Sequence, residues 1–280
     1  QRQYKEAARY FRNALERNPD STDALRGLMN TYLAQKQPDQ AVSAINDQIS
    51  KSPKNSEFYD LLGVALSRDR KPNDAEAAFS KSLELDAENF NAIINLGELE
   101  ATNGKENQAI ALFEQSLKDH PQQGPLYIFL GRLYENQHDW KKAENTYQRA
   151  LVVKPDDPLA SNELANVLVA EGGNYDVALS LAQTARRGLP GSPAVAETLG
   201  WIYYQKGAYT SAVGLLEEAI RLMEQSKMPY NADVHYRLGL AYAKTDKPRL
   251  ARKQLELVLK INPDYSAAPE VKKQLAQLKS

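Results

Sequence analysis

Cysteine does not occur among the 280 residues. That absence removes disulfides, thiolate nucleophiles and zinc-thiolate sites together, and it is compatible with an oxidising compartment without requiring one. Histidine is nearly as scarce: His120, His138 and His235 are the three copies, and none stands four residues from another histidine or from a carboxylate pair that would complete a metal triad. No apolar run approaches the roughly 18 residues a membrane helix needs, so direct membrane insertion is not expected. The opening QRQYKEAARYF also lacks the basic-then-apolar build of a signal peptide. Neither sign of charge dominates: 35 basic side chains face 36 acidic ones, a formal charge of -1. Such a balance does not suit a protein that must neutralise many phosphates at once, and nucleic acid is not an expected partner.

The strings that carry catalysis are missing too. There is no GxGxxG or GxxxxGK, and Gly172-Gly173 lacks the spacing of a phosphate loop. Ser161, Ser192 and Ser211 have no glycine elbow around them. Glu217-Glu218 and Asp156-Asp157 fall on solvated helix faces or turns, where charge runs normally belong. No active site, metal or cofactor is expected, and the three histidines read as structural or merely solvated.

What the chain has in abundance is repetition. Leucine recurs at Leu28, Leu62, Leu96, Leu130, Leu164, Leu199 and Leu238, in steps of 34, 34, 34, 34, 35 and 39 residues. Alanine keeps the same rhythm from Ala7 and Ala41 to Ala212 and Ala251, and glycine follows the leucine in five units, replaced by Met29 and Ala165 in the other two. A large apolar residue stands four after the alanine in every unit but one, where Ala182 takes its place. Residues three and four apart share a helix face. Each unit therefore reads as helix, polar turn and helix, with proline closing the second helix at Pro19, Pro53, Pro121, Pro155, Pro190 and Pro263. A glycine inside a helix costs roughly 1 kcal/mol relative to alanine, so its recurrence asks for close helix packing in return.

The pattern resembles the tetratricopeptide repeat, a 34-residue helix pair. The unit from Gly124 to Asp157 matches best, with Tyr127, Leu130, Gly131, Tyr134, Ala143, Tyr147, Ala150 and Pro155 at the family offsets. The resemblance implies an all-α fold, a right-handed α-solenoid of stacked helix-turn-helix units forming one superhelix over 1–280. Its parts would be the second helix of a truncated repeat (1–21), full repeats at 22–55, 56–89, 90–123, 124–157, 158–192, 193–231 and 232–265, and a capping helix at 266–280. On that reading the N-terminus looks cut and the C-terminus natural. The open half-repeat could then cover its apolar side by self-association. The longest step, around MEQSKMPYNAD, reads as a lengthened helix and loop. Trp140, matched by Tyr175 and Tyr209, stands where the family packs an aromatic between helices and is expected in the core.

By the same resemblance the first helix of each pair lines a concave surface. Its lining is Asp23, Arg26 and Asn30; Glu57 and Asp60; Asn91, Ile94, Asn95 and Glu98; Ile128, Phe129, Arg132 and Glu135; Asn162, Glu163 and Asn166; Glu197, Trp201, Tyr204 and Gln205; and Tyr236, Arg237 and Lys244. Carboxylates outnumber basic groups there, which also disfavours a nucleic-acid strand. The family's clamp for a C-terminal carboxylate needs basic residues and asparagine at two offsets. Here those offsets hold Asp23 and Gly27, Glu57 and Leu61, and Pro125 and Phe129; only Asn91, Asn95 and Arg237 would fit.

Two lining features point to a protein partner. The pairs Asn91 with Asn95 and Asn162 with Asn166 offer amides that can hold an extended peptide by its backbone, in likeness to the asparagine ladder in the repeat arm of protein O-glycosyltransferases. Trp201, Tyr204 and Tyr236, with Phe129 further back, supply rings of the kind that anchor interfaces. The competing reading of each feature is a merely solvated groove for the amides and internal packing for the rings. The expected function is a non-enzymatic interaction scaffold holding a peptide segment or partner protein in its groove. Stretches such as LGWIYYQKG look bacterial, and the family is common in envelope assemblies, so a periplasmic or envelope-associated place fits, with a cytoplasmic one left open. The alternative is a substrate-recruiting arm of a larger enzyme such as a protein glycosyltransferase.

Overall fold

The repeat rhythm becomes, in a computed structural model that describes residues 2–229 and 231–278, sixteen α-helices with no strand among the described residues. Gln1, Tyr230, Lys279 and Ser280 lie outside them, so one loop residue and the end of the expected cap are not described. Helix α1 (Arg2–Arg17) stands alone. Seven pairs follow: α2 (Thr22–Ala34) with α3 (Pro38–Lys51), α4 (Ser56–Arg68) with α5 (Pro72–Leu85), α6 (Phe90–Thr102) with α7 (Glu106–Asp119), α8 (Gly124–Asn136) with α9 (Trp140–Val153), α10 (Pro158–Ala170) with α11 (Tyr175–Gly188), α12 (Pro193–Gln205) with α13 (Tyr209–Gln225), and α14 (Ala232–Lys244) with α15 (Pro248–Ile261). Helix α16 (Ala268–Gln277) comes last. The helices fall into two compact units, Gln1–Pro121 with α1 to α7 and Gln122–Ser280 with α8 to α16.

Local chemistry sets the helix ends. Ser21, Asn55, Asn89, Asp157, Ser192 and Asn231 each accept a hydrogen bond from a backbone N–H of the first turn they precede, satisfying a donor that has no partner within the helix. Helices α3, α5 and α15 open on proline instead, where the missing N–H is no loss. Every turn inside a pair passes through left-handed backbone at one slot, occupied by Lys36, Arg70, Gly104, His138, Gly172, Gly207 and Asp246. His138 is thus a turn residue. The extra residue of the fifth full repeat follows that slot as Gly173. The longest step is taken up by α13, which has 17 residues where α11 has 14, and by the loop after it.

Gly63, Gly97 and Gly131 sit under rings, while Gly200 and Gly239 sit against Leu216 and Leu255. A Cβ placed on Gly63, Gly97 or Gly131 would lie 2.4, 2.3 or 2.4 Å from a ring carbon of Phe79, Phe113 or Tyr147, and all three rings are buried. Where Ala165 replaces the glycine, the opposing slot holds Ala182, and both belong to one buried cluster. Met29 and Ile45 likewise share a buried cluster. In each of these units the slot pair is filled by buried groups, as a close-packed interior requires.

Some expected packing differs. Trp140, Tyr175 and Tyr209 are half-buried rather than core, because each stands at the first position of its helix, beside the turn and solvent. The Trp140 ring leans on His138 at 5.6 Å between centroids. His235 is a core residue, 3% exposed, with its Nδ1 2.6 Å from Gln254 Oε1. His120 packs edge-on against Phe90. Helix α16 buries Ala268 and Val271, and Val271 shares a cluster with Leu255 and Val258 of α15. On α1, Ala8 and Leu15 are buried while Tyr4 and Tyr10 stay exposed.

Candidate partner-binding face

Within each compact unit the first helices touch one another: α2 meets α4 and α4 meets α6, then α8 meets α10, α10 meets α12 and α12 meets α14. No comparable contact links successive second helices among the described residues. The first helices are therefore the crowded layer of each unit and the second helices the splayed one. The lining residues expected from sequence lie on these first helices, and they range from exposed, as at Asn91, Glu98 and Arg132, to buried, as at Asp60, Ile128 and Asn162.

In residues 1–121 that lining is tied by one buried polar pair. Asp60, 1% exposed, accepts a hydrogen bond from Asn95 Nδ2 at 2.7 Å. Burial pushes the Asp60 carboxyl above its usual range, against the pull of Asn95 and the Arg26 guanidinium. One arm of the Asn95 amide is thereby engaged inside the protein, whereas Asn91 and Glu98 are exposed and Ile94 is half-buried.

In residues 122–280 the lining carries two connected groups. On α8 and α10, Arg132 donates to Glu163 through Nη2 at 2.6 Å and Nε at 3.2 Å. One turn further along α8, Glu135 accepts from the buried Tyr147 hydroxyl of α9. Desolvation lifts the Glu135 carboxyl to about 6; the Tyr147 bond opposes that and Glu163 adds to it. Ile128 is buried and Phe129 half-buried on the same helix. Asn162 is 7% exposed, and its Oδ1 has no partner among the described atoms; Asn166 is half-buried.

The second group is aromatic. Trp201 and Tyr204 stack with centroids 4.8 Å apart and planes 9° from parallel, and Tyr204 meets Tyr209 edge-on at 5.3 Å. The Arg237 guanidinium carbon lies 5.3 Å from the Trp201 centroid, while Nη1 donates to Glu197 at 3.0 Å. Burial raises the Glu197 carboxyl, and Arg237 pulls it back. The guanidinium thus couples the rings to a poorly solvated carboxylate. Tyr236 meets Tyr265 edge-on at 5.7 Å, and the Tyr265 hydroxyl donates to Asp233 at 2.7 Å. The sequence reading missed Tyr265, which follows Pro263 in the turn after α15. All four rings Trp201, Tyr204, Tyr236 and Phe129 are half-buried, so packing and open surface share each of them.

Among the described residues no group of three or more metal-ligating side chains converges, and no helix is long and apolar enough to cross a membrane. Family models described as tetratricopeptide repeat match residues 1–64 and 100–167, 61–124 and 170–227, and 232–265. The chain belongs to the tetratricopeptide repeat family. This tetratricopeptide repeat protein is 26% identical over 102 residues to a TPR repeat-containing protein of Pseudomonas aeruginosa, which covers 36% of this chain and 17% of that relative. In solved structures it is similar to a chain of the APC/C hetero-tetramer Cut9-Hcn1, with TM-score 0.74 and 20% identity over 99% of this chain and 53% of that one. A tetratricopeptide repeat protein of Parabacteroides merdae gives 0.63 at 16% over 91% and 99%, and PilF of Pseudomonas aeruginosa 0.64 at 15% over 79% and 98%. At these identities the likeness is one of fold, an all-helical solenoid of paired helices. Tetratricopeptide repeats are protein interaction scaffolds, and the fold is typically non-catalytic.

Proposed function

We propose that this tetratricopeptide repeat protein is a non-enzymatic scaffold that captures a segment of a partner protein on the first-helix face of residues 122–280. One observation carries the reading: the stacked Trp201 and Tyr204 are held by Arg237, itself fixed by Glu197, so two large rings are preorganised at a half-open position. Rigid rings bury much area for little lost side-chain freedom, which is why tryptophan and tyrosine dominate binding energy at interfaces. The half-buried Asn166, Tyr236 and Phe129 extend the face on either side. A chain of similar fold belongs to the Cut9-Hcn1 hetero-tetramer, and the Pseudomonas aeruginosa relative suits a bacterial setting.

Selection of a displayed random peptide library against the whole chain tests this. The enriched peptides, titrated calorimetrically, should bind Trp201→Ala/Tyr204→Ala at least about ten-fold more weakly. Helical content and melting should stay close to those of the parent. Equal affinity for parent and variant would remove these rings from the binding face.

A further inference from the structure

Beside the aromatic group, residues 122–280 hold a second recess, an open cleft of about 440 Å³ between α8, the end of α9 and the start of α10. Its apolar wall is Pro125, Ile128, Phe129, Ala150, Val153 and Leu159. The apolar surface continues outside it: Val152 is 82% exposed and Leu159 46%. The three charged residues on the wall are already paired, Lys154 with Asp157 at 3.0 Å and Arg132 with Glu163 at 2.6 Å. The cleft itself thus has room for an apolar side chain and offers no uncompensated charge to a polar one.

Charge appears at its edge. Arg132 lies 5.9 Å from the Phe129 centroid inside the cleft and reaches Glu163 outside it. One turn beyond on α8 is Glu135, whose carboxylate accepts from the neutral Tyr147 hydroxyl. Two carboxylates against one guanidinium leave one net negative charge beside an apolar recess. That charge is held where burial has stripped much of its water, so an incoming cation gains more there than at an open surface.

We infer that the α8–α10 cleft receives a bulky apolar side chain of the partner segment, and that Glu135 and Glu163 receive a lysine or arginine next to it. This rests on the reading that the first-helix face of residues 122–280 captures a protein segment, and it names the chemistry of that segment. An apolar anchor alone would fill the recess without using the unbalanced carboxylate. A segment with an acidic residue beside the anchor meets that carboxylate and is rejected.

The probes are three nine-residue peptides with a central benzoylphenylalanine in a glycine-serine background, followed by two lysines, two glutamines or two glutamates. After irradiation with the full chain at low salt, cross-links are located by mass spectrometry. The lysine peptide should mark Phe129, Val153 or Leu159 and should bind about ten-fold better than the glutamate peptide. Glu135→Gln should erase most of that preference. Glu135→Gln/Glu163→Gln, which leaves Arg132 unopposed, should reverse it toward the glutamate peptide, while helical content stays that of the parent. Equal cross-linking by all three peptides, or an unchanged preference in the double variant, overturns the inference. If peptides from the random library still bind through Trp201 and Tyr204 in that case, the scaffold reading stands and only the assigned chemistry falls.

Discussion

Gly63→Ala lowers stability by about 2 kcal/mol, although the same exchange at an exposed helix position raises it by about 1 kcal/mol. The sign reverses because of one ring. The added Cβ would sit 2.4 Å from Phe79 Cε1, far inside van der Waals contact, and Phe79 is 1% exposed with nowhere to retreat. Either the ring leaves its preferred rotamer or α4 moves off α5, and both lose close contacts across the hairpin. Phe79→Leu removes the ring edge and costs stability alone by leaving a cavity. The two changes together should cost less than their sum by about 1 kcal/mol, since each relieves the other's fault. Urea unfolding of the four proteins measures the cycle. A neutral or stabilising Gly63→Ala, or strict additivity, would remove close approach as the reason for the glycine.

That relation was open to sequence reading, because packing slots within a hairpin recur every 34 residues and speak through residue volume. Glycine stands opposite phenylalanine or tyrosine in three units and opposite leucine in two, while Ala165 with Ala182 and Met29 with Ile45 fill the slots of the other two. Helix pairs and turns follow from the same arithmetic, whereas the first-helix lining is an implication of the family resemblance. Family membership and the all-helical fold agree with it.

The electrostatics of the face were not legible in that way. Asp60 with Asn95, Arg132 with Glu163 and Glu197 with Arg237 are 35, 31 and 40 residues apart. Each joins neighbouring first helices at positions that read as solvated when a helix is taken alone. No fixed period reveals such pairs, since a polar lining residue can point outward to water or sideways to the next helix with the same residue type. Half-burial is similarly invisible. Trp201 and Trp140 both look like large rings in a periodic helix, yet one stacks on Tyr204 within the lining and the other sits at a helix start beside a turn. The exposed cleft of α8 to α10 escaped for a further reason: its wall joins three helices, and Val153 and Leu159 lie outside the lining columns.

Asn95→Ala should have the second large effect, and its size should depend on pH. At neutral pH the variant leaves a buried carboxylate without its one side-chain hydrogen bond, which costs about 2 to 3 kcal/mol for a bond to a charged group. Arg26 attracts Asp60 but is outweighed by desolvation, and Glu57 repels it. The folded-state pKa of Asp60 already lies above its ordinary 3.8, so the native state holds this proton more tightly than the unfolded chain does. Stability from this group therefore falls as pH rises from the unfolded value through the folded one. Without Asn95, which lowers the pKa, the folded value climbs and the fall extends to higher pH. The deficit of Asn95→Ala relative to the parent should accordingly be largest at pH 7 and shrink toward pH 4, where the neutral acid needs less support. Asp60→Asn in the Asn95→Ala background removes the charge and should recover most of the loss at pH 7. Urea midpoints at the two pH values decide it: a deficit of the same size at both would mean that Asn95 acts through packing, and the buried charge would lose its place in the account.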